Sequence, residues 1–129
     1  MSVNEKLISM IREAGFFFYA TTEDGKPRVR PLGYIDNING KMVIAISTVK
    51  AMSKQTLANP EFEICASTSE QWVRFSGKAL PLDDAEIIEK MLECPILKGR
   101  FTPETVGAFE LDLDKAEYFS MAGAYEKLI

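Results

Sequence analysis

Residues 40–60 read GKMVIAISTVKAMSKQTLANP, and the order of residue types along this stretch decides how the chain is built. The apolar run 42–46 is too short for a helix and reads as a strand, which passes into two hydroxyl residues, Ser47 and Thr48, and then into a short helical segment. A strand that runs into a helix start presents free backbone N–H groups and the positive end of the helix dipole, where phosphate groups tend to bind. Lys50 and Lys54 are four apart and are expected on one helix face, aimed at a single dianion. A solvated face with two ordinary lysines has the same spacing, so the stretch alone leaves both readings open. The helix is expected to end near Asn59-Pro60, because proline restricts the residue before it and cannot continue the hydrogen-bond ladder.

Upstream, Asn39-Gly40 and Glu23-Asp24-Gly25-Lys26 are hairpin signals that separate strands at 16–20, 27–36 and 41–47. Arg28 and Arg30 are two apart, hence on one strand face, as an anion site or as a salt-bridged outer wall. Ser2 and Glu5 have capping-box spacing ahead of a helical stripe of Val3, Leu7, Ile11 and Ala14 that stops at Gly15. Downstream, Phe62, Ile64 and Ala66 alternate with polar neighbours as in a strand with one buried face. In the strand 72–80, Trp72, Arg74, Ser76 and Lys78 share one face and Val73, Phe75, Gly77 and Ala79 the other. Trp72 on its own reads as a core or interface residue before a ligand contact.

Asp83 is expected to cap a second amphipathic helix with Ile87, Ile88, Met91 and Leu92 buried and Cys94-Pro95 as its stop. Residues 95–103 look irregular, with Lys98 and Arg100 in solvent; a last strand at 106–113 is extended by 116–120 after a bend, and 121–129 carries no signal. Six successive strands on hairpin-length turns, with one helix inside and two over the ends, predict a mainly β fold, a six-stranded antiparallel barrel with flanking helices. A doubly wound parallel sheet would need a helix after nearly every strand, and the first three strands leave no room for one.

A length of 129 residues suits one domain, 1–129, able to bury a real core. The net charge of -4 argues against a nucleic-acid partner. Its distribution is uneven: residues 26–78 hold eight basic and four acidic side chains, the rest seven basic and fifteen acidic. A small anionic ligand fits that pattern better than a polyanion, which the acidic remainder would repel. No apolar run approaches the ~20 residues of a membrane span. With no paired spacing and no secretory leader, Cys65 and Cys94 are expected as free buried thiols in a reducing cytoplasm. The absence of histidine removes an ordinary zinc site, a His-ligated haem and a Ser-His or Cys-His pair, so a bound cofactor is the natural carrier of any chemistry.

PRVRPLG at 27–33, GKMVIAIST at 40–48, KAMSKQTLANPEFEIC at 50–65 and WVRFSGKA at 72–79 resemble the flavin-binding split barrels of the pyridoxamine 5'-phosphate oxidase-like superfamily. The resemblance runs in order over nearly the whole chain and is nearest to the short bacterial branch of oxidase-related FMN-binding proteins. It implies a split barrel that binds FMN between two subunits of a homodimer. Arg30, with Pro31 and Leu32, matches the strand along FMN that supplies an arginine to the phosphate. Ser47 and Thr48 match the hydroxyl pair at the strand end, and Lys54 matches the phosphate-binding lysine, with Lys50 and Gln55 beside it. Trp72 and Arg74 would reach the flavin of the second subunit.

The resemblance has limits. Authentic pyridoxamine 5'-phosphate oxidases close with a segment whose arginine and histidine hold pyridoxal phosphate, and this chain has no histidine, which argues against vitamin B6 oxidation and against the haem-degrading branch. Deazaflavin-using relatives share the barrel. The expected function is a flavoprotein oxidoreductase that moves electrons or hydride between NAD(P)H or a similar donor and a small organic substrate. The alternatives are a flavin-binding, redox-sensing module without turnover, and a cofactor-free barrel dimer that binds another phosphorylated ligand. No residue is assigned as a catalytic acid or base.

Overall fold

The computed structural model describes residues 1–48 and 50–129. Among them lie three helices and eight strands: α1 (Val3–Ala14), β1 (Phe17–Glu23), β2 (Lys26–Leu32), β3 (Ile35–Ile38), β4 (Lys41–Ser47), α2 (Ala51–Ala58), β5 (Glu61–Ser67), β6 (Gln71–Pro81), α3 (Ala85–Leu92), β7 (Val106–Ser120) and β8 (Tyr125–Lys127). The strands form one antiparallel sheet in the order β2-β1-β5-β6-β7-β4-β3, with β8 added against β7. The sheet is open, and β2 and β3, which follow each other in sequence, are its two margins.

Eight strands replace the six expected, for two reasons. The stretch 27–36 is not one strand: after Leu32 the chain leaves β1, passes Gly33 and Tyr34, and pairs again as β3 with β4. The tail supplies β8, with Tyr125 opposite Phe119. Conversely, 106–113 and 116–120 are one continuous strand. The bend expected between them is a bulge that leaves Asp114 unpaired where Ser76 faces Lys115 and Gly77 faces Leu113. A Cβ at Gly77 would fall on the carbonyl oxygen of Asp112, so this close approach needs glycine.

Both hairpin turns are as expected, with Asp24 and Gly25, and again Asn39 and Gly40, at positive φ. The Ser2 hydroxyl accepts a hydrogen bond from the Glu5 amide, and Gly15 ends α1 in the left-handed region. Leu7 and Ile11 are almost fully buried against the sheet; at roughly 1.5–3 kcal/mol for each such side chain, this apolar stripe holds α1 in place. The cap of α3 is Asp84, not Asp83: its carboxylate accepts from the Ile87 amide at 3.2 Å.

The run 42–46 is apolar throughout because β4 is covered on both sides. Met42, Ile44 and Ile46 join the main core with Phe17, Tyr19, Ile64 and Phe75. Val43 instead joins a second cluster in which Ile87 and Met91 of α3 pack on Tyr34 and Leu97. Cys65 and Cys94 are free and half-buried. No described helix is long and apolar enough to cross a membrane.

Candidate functional site

Where β4 gives way to α2, the chain walls a cleft of about 310 Å³. Four of the residues matched to the cofactor site, Pro31, Leu32, Ser47 and Lys50, line it together with Tyr34 and Met52. The segment between α3 and β7 adds Arg100 and Phe101 from the opposite side. No aspartate or glutamate lines this cleft, and neither Lys50 nor Arg100 has a carboxylate partner among the described residues. Lys50 is the N-cap of α2 with extended backbone, φ -88 and ψ 150, and makes no side-chain cap. The helix therefore opens on the cleft with uncapped amides and an unneutralised dipole beside two free cations. The Tyr34 hydroxyl, on the same wall, is a buried polar atom with no hydrogen-bond partner among the described residues. Burial pushes its pKa well up, and Asp36 and Cys94 add to the shift.

The two lysines do not face one space. Lys50 leaves the chain before α2 has turned, whereas Lys54 lies a turn inside the helix and lines a second cleft, of about 500 Å³, with Gln55, Glu23, Asp24 and Asn59. Thr48 is exposed, and its amide donates to the carbonyl of Thr105 at 3.2 Å, which ties the strand end to the start of β7.

Arg30 is half-buried and turned inward. Its Nη1 donates to Thr21 Oγ1 at 2.8 Å and to the Tyr19 carbonyl at 3.2 Å, and its Nη2 donates to Gln55 Oε1 at 2.7 Å. Burial lowers its pKa, with Tyr19 acting the other way. Arg28 is exposed and sits 3.6 Å from Glu23.

Trp72 and Arg74 lie on the outer face of the sheet. The Trp72 ring stacks on Phe119 at 4.1 Å between centroids, and the Arg74 guanidinium carbon is 5.5 Å and 5.4 Å from the two rings. Arg74 Nη2 donates to Glu117 Oε1 at 3.1 Å, and the Tyr125 hydroxyl donates to Glu117 Oε2 at 2.9 Å. Those two hydrogen bonds, the tyrosine's first, and the charge of Lys115 hold the Glu117 carboxyl below its usual range.

The sequence model of the pyridoxamine 5'-phosphate oxidase family matches residues 3–118. The chain belongs to this family. Among solved structures, a NimC/NimA family protein from Clostridium acetobutylicum superposes with a TM-score of 0.84 at 29% identity, over 95% of this chain and 89% of that one. A heme binding protein from Mycobacterium smegmatis gives 0.77 at 16%, over 98% of this chain and 57% of the other. A pyridoxamine 5'-phosphate oxidase-related, FMN binding protein from Nostoc punctiforme gives 0.66 at 14%, over 95% and 86%. No curated protein matches the sequence significantly.

Within this member of the family, Arg100 and Phe101 are the cleft residues that sequence reasoning missed. The segment 95–103 has neither helical nor strand periodicity; its turns are held by backbone hydrogen bonds, and buried Leu97, with Phe101 packed on the same cluster as Val43 of β4, anchors it. The other tyrosines have protein partners: Tyr19 OH lies 3.0 Å from Thr56 Oγ1, and Tyr118 OH donates to Gln71 Oε1 at 2.8 Å.

Proposed function

We propose that the chain is an FMN-binding flavoprotein that works as a homodimer, with the FMN phosphate held where β4 meets α2. The observation that carries this reading is the acid-free cleft, with Lys50 and Arg100 unpaired, in a chain of net charge -4. Its donor set fits the group: Lys50, the Ser47 hydroxyl and the amides that open α2 suit a dianionic phosphate, with Thr48 next along the chain, and charge-assisted hydrogen bonds of this kind contribute roughly 1.5–3 kcal/mol each. Pro31, Leu32, Met52 and Phe101 offer apolar surface to a flat ring, and the partnerless Tyr34 hydroxyl offers a hydrogen bond to a polar edge. The Nostoc punctiforme protein, described as FMN binding, has the same fold. Haem suits this chain less well, since it holds no histidine to serve as an axial ligand.

When bound, FMN supplies reversible electron or hydride transfer between a donor such as NAD(P)H and a small organic acceptor. The residues of the chain bind and orient it. Lys54 adds positive potential to α2 from the neighbouring cleft, and Gln55 and Arg30 stand behind it. The outer face offers a surface for the dimer: Tyr125, 54% exposed, has its ring 5.1 Å from that of Phe119 beside the Trp72 and Arg74 stack, and Phe18, 42% exposed, shares this face two strands away.

The test is the absorbance of the purified protein. A flavin spectrum retained through gel filtration supports the reading, and bleaching by NADH or NADPH with recovery in air supports turnover over storage. Lys50→Ala is expected to weaken FMN binding about tenfold or more, and Lys54→Ala by less. A colourless protein that fails to quench added FMN fluorescence leaves the cofactor-free dimer as the better reading.

A further inference from the structure

Helix α2 has almost nothing apolar to hold it. Its two buried residues, Ser53 and Thr56, are both polar, Leu57 is exposed, and Met52 alone packs against the main core. Eight residues without a side-chain cap do not form a stable helix by themselves in water. What fastens α2 is a chain of hydrogen bonds to the β1–β2 hairpin. Gln55 Oε1 accepts from Arg30 Nη2 at 2.7 Å and from Thr21 Oγ1 at 3.0 Å, while Gln55 Nε2 donates to Glu23 Oε2 at 2.7 Å. Arg30 Nη1 closes the loop on Thr21 Oγ1 and the Tyr19 carbonyl, and Tyr19 meets Thr56 on the next turn of the helix.

The residue types are specific to this arrangement. A side-chain amide accepts from a guanidinium and donates to a carboxylate through one planar group, which neither a carboxylate nor an aliphatic side chain can do, and a guanidinium presents N–H groups to Thr21 and Gln55 together from one fixed fork. Arg30 Nη1 and Nη2 both take part in these contacts to Tyr19, Thr21 and Gln55.

We infer that Arg30 and Gln55 are positioning residues, a polar latch that docks α2 on the β1–β2 hairpin and thereby holds Lys50 at the mouth of the β4–α2 cleft. The inference rests on the proposed phosphate site only for the purpose of the latch, not for its existence. It departs from the expectation that Arg30 itself grips the phosphate.

Amide hydrogen exchange and FMN titration on the intact protein decide it, with Arg30→Met, Arg30→Lys, Gln55→Leu and the double variant Arg30→Met with Gln55→Leu. Each single variant is expected to speed exchange of the α2 amides about tenfold or more, with α1 and α3 little changed. The double variant should add little to either single one, because the links act in series. Arg30→Lys should behave as Arg30→Met, since an ammonium cannot bridge Thr21 and Gln55. FMN affinity should fall in parallel in all four. Unaltered α2 protection in Gln55→Leu overturns the latch. So does an Arg30→Lys protein that keeps full FMN affinity, which would return Arg30 to the phosphate. If the wild-type protein binds no FMN, the exchange measurements still decide the latch while the functional reading falls separately.

Discussion

Replacing Tyr34 with phenylalanine should make the protein more stable, which is the reverse of the usual effect of a core substitution. Tyr34 is 4% exposed and packs with Val43, Ile87, Met91 and Leu97, yet its hydroxyl has no partner among the described residues. A buried donor left unmade costs about 1–3 kcal/mol, and the small gap that phenylalanine leaves returns part of it, for a net gain of about 1 kcal/mol. For 129 residues the unfolding entropy near the midpoint is about 0.27 kcal/mol/K, so Tm should rise by about 4 °C in calorimetry of the ligand-free protein. Tyr19→Phe is the control: its hydroxyl is bonded to Thr56 at 3.0 Å, and removing it should lower stability by about 1 kcal/mol. If FMN satisfies the Tyr34 hydroxyl, Tyr34→Phe should also bind FMN less tightly. A Tyr34→Phe protein that melts about 2 °C or more below wild type, in the same direction as Tyr19→Phe, would refute the reasoning.

Gly77→Ala should cost about 2–3 kcal/mol or more, read as a drop in urea midpoint, because its methyl group meets backbone at the β-bulge. Glu117 has a depressed folded-state pKa, caused first by the Tyr125 hydroxyl, so its contribution is present above the ordinary glutamate range and is lost as pH falls through the folded value. Chemical denaturation from pH 7 down to about 3 should therefore show wild type losing stability at the acid end and Glu117→Gln with a flatter acid limb. If the proposed homodimer forms through the outer face, Trp72→Ala, which unstacks Phe119 and Arg74, should shift sedimentation toward monomer with the fold intact; a wild-type dimer that Trp72→Ala leaves unchanged would place the interface elsewhere.

Local chemistry made much of the fold legible. The turns at Asp24-Gly25 and Asn39-Gly40, the Ser2 cap and the alternation of Phe62, Ile64 and Ala66 each follow from forces within a few residues of themselves. The break between Leu32 and Ile35 was only faintly marked, by a lone Gly33 without a second turn residue: where β2 stops is set by its partner β1, which begins at Phe17, opposite Leu32. The same holds for β8, whose three exposed residues owe their strand to β7. At the candidate cleft, the nearness of Ser47 and Lys50 was legible because strand end and helix start are adjacent in sequence. The separation of Lys54 from Lys50 was not, because it turns on Lys50 being a cap with extended backbone. Arg100 entered the cleft through the burial of Leu97, a tertiary event that leaves no mark on the sequence pattern around it.

Among the described residues, β7 is the one strand that borders three others, β6, β4 and β8. During synthesis it emerges after β1 to β6, so a ribosome-bound chain lacking it holds a β3–β4 hairpin and a β6 strand, each with an edge unpaired. Such a nascent intermediate invites intermolecular strand addition, and the yield of folded protein should depend on how promptly translation delivers residues 106–120.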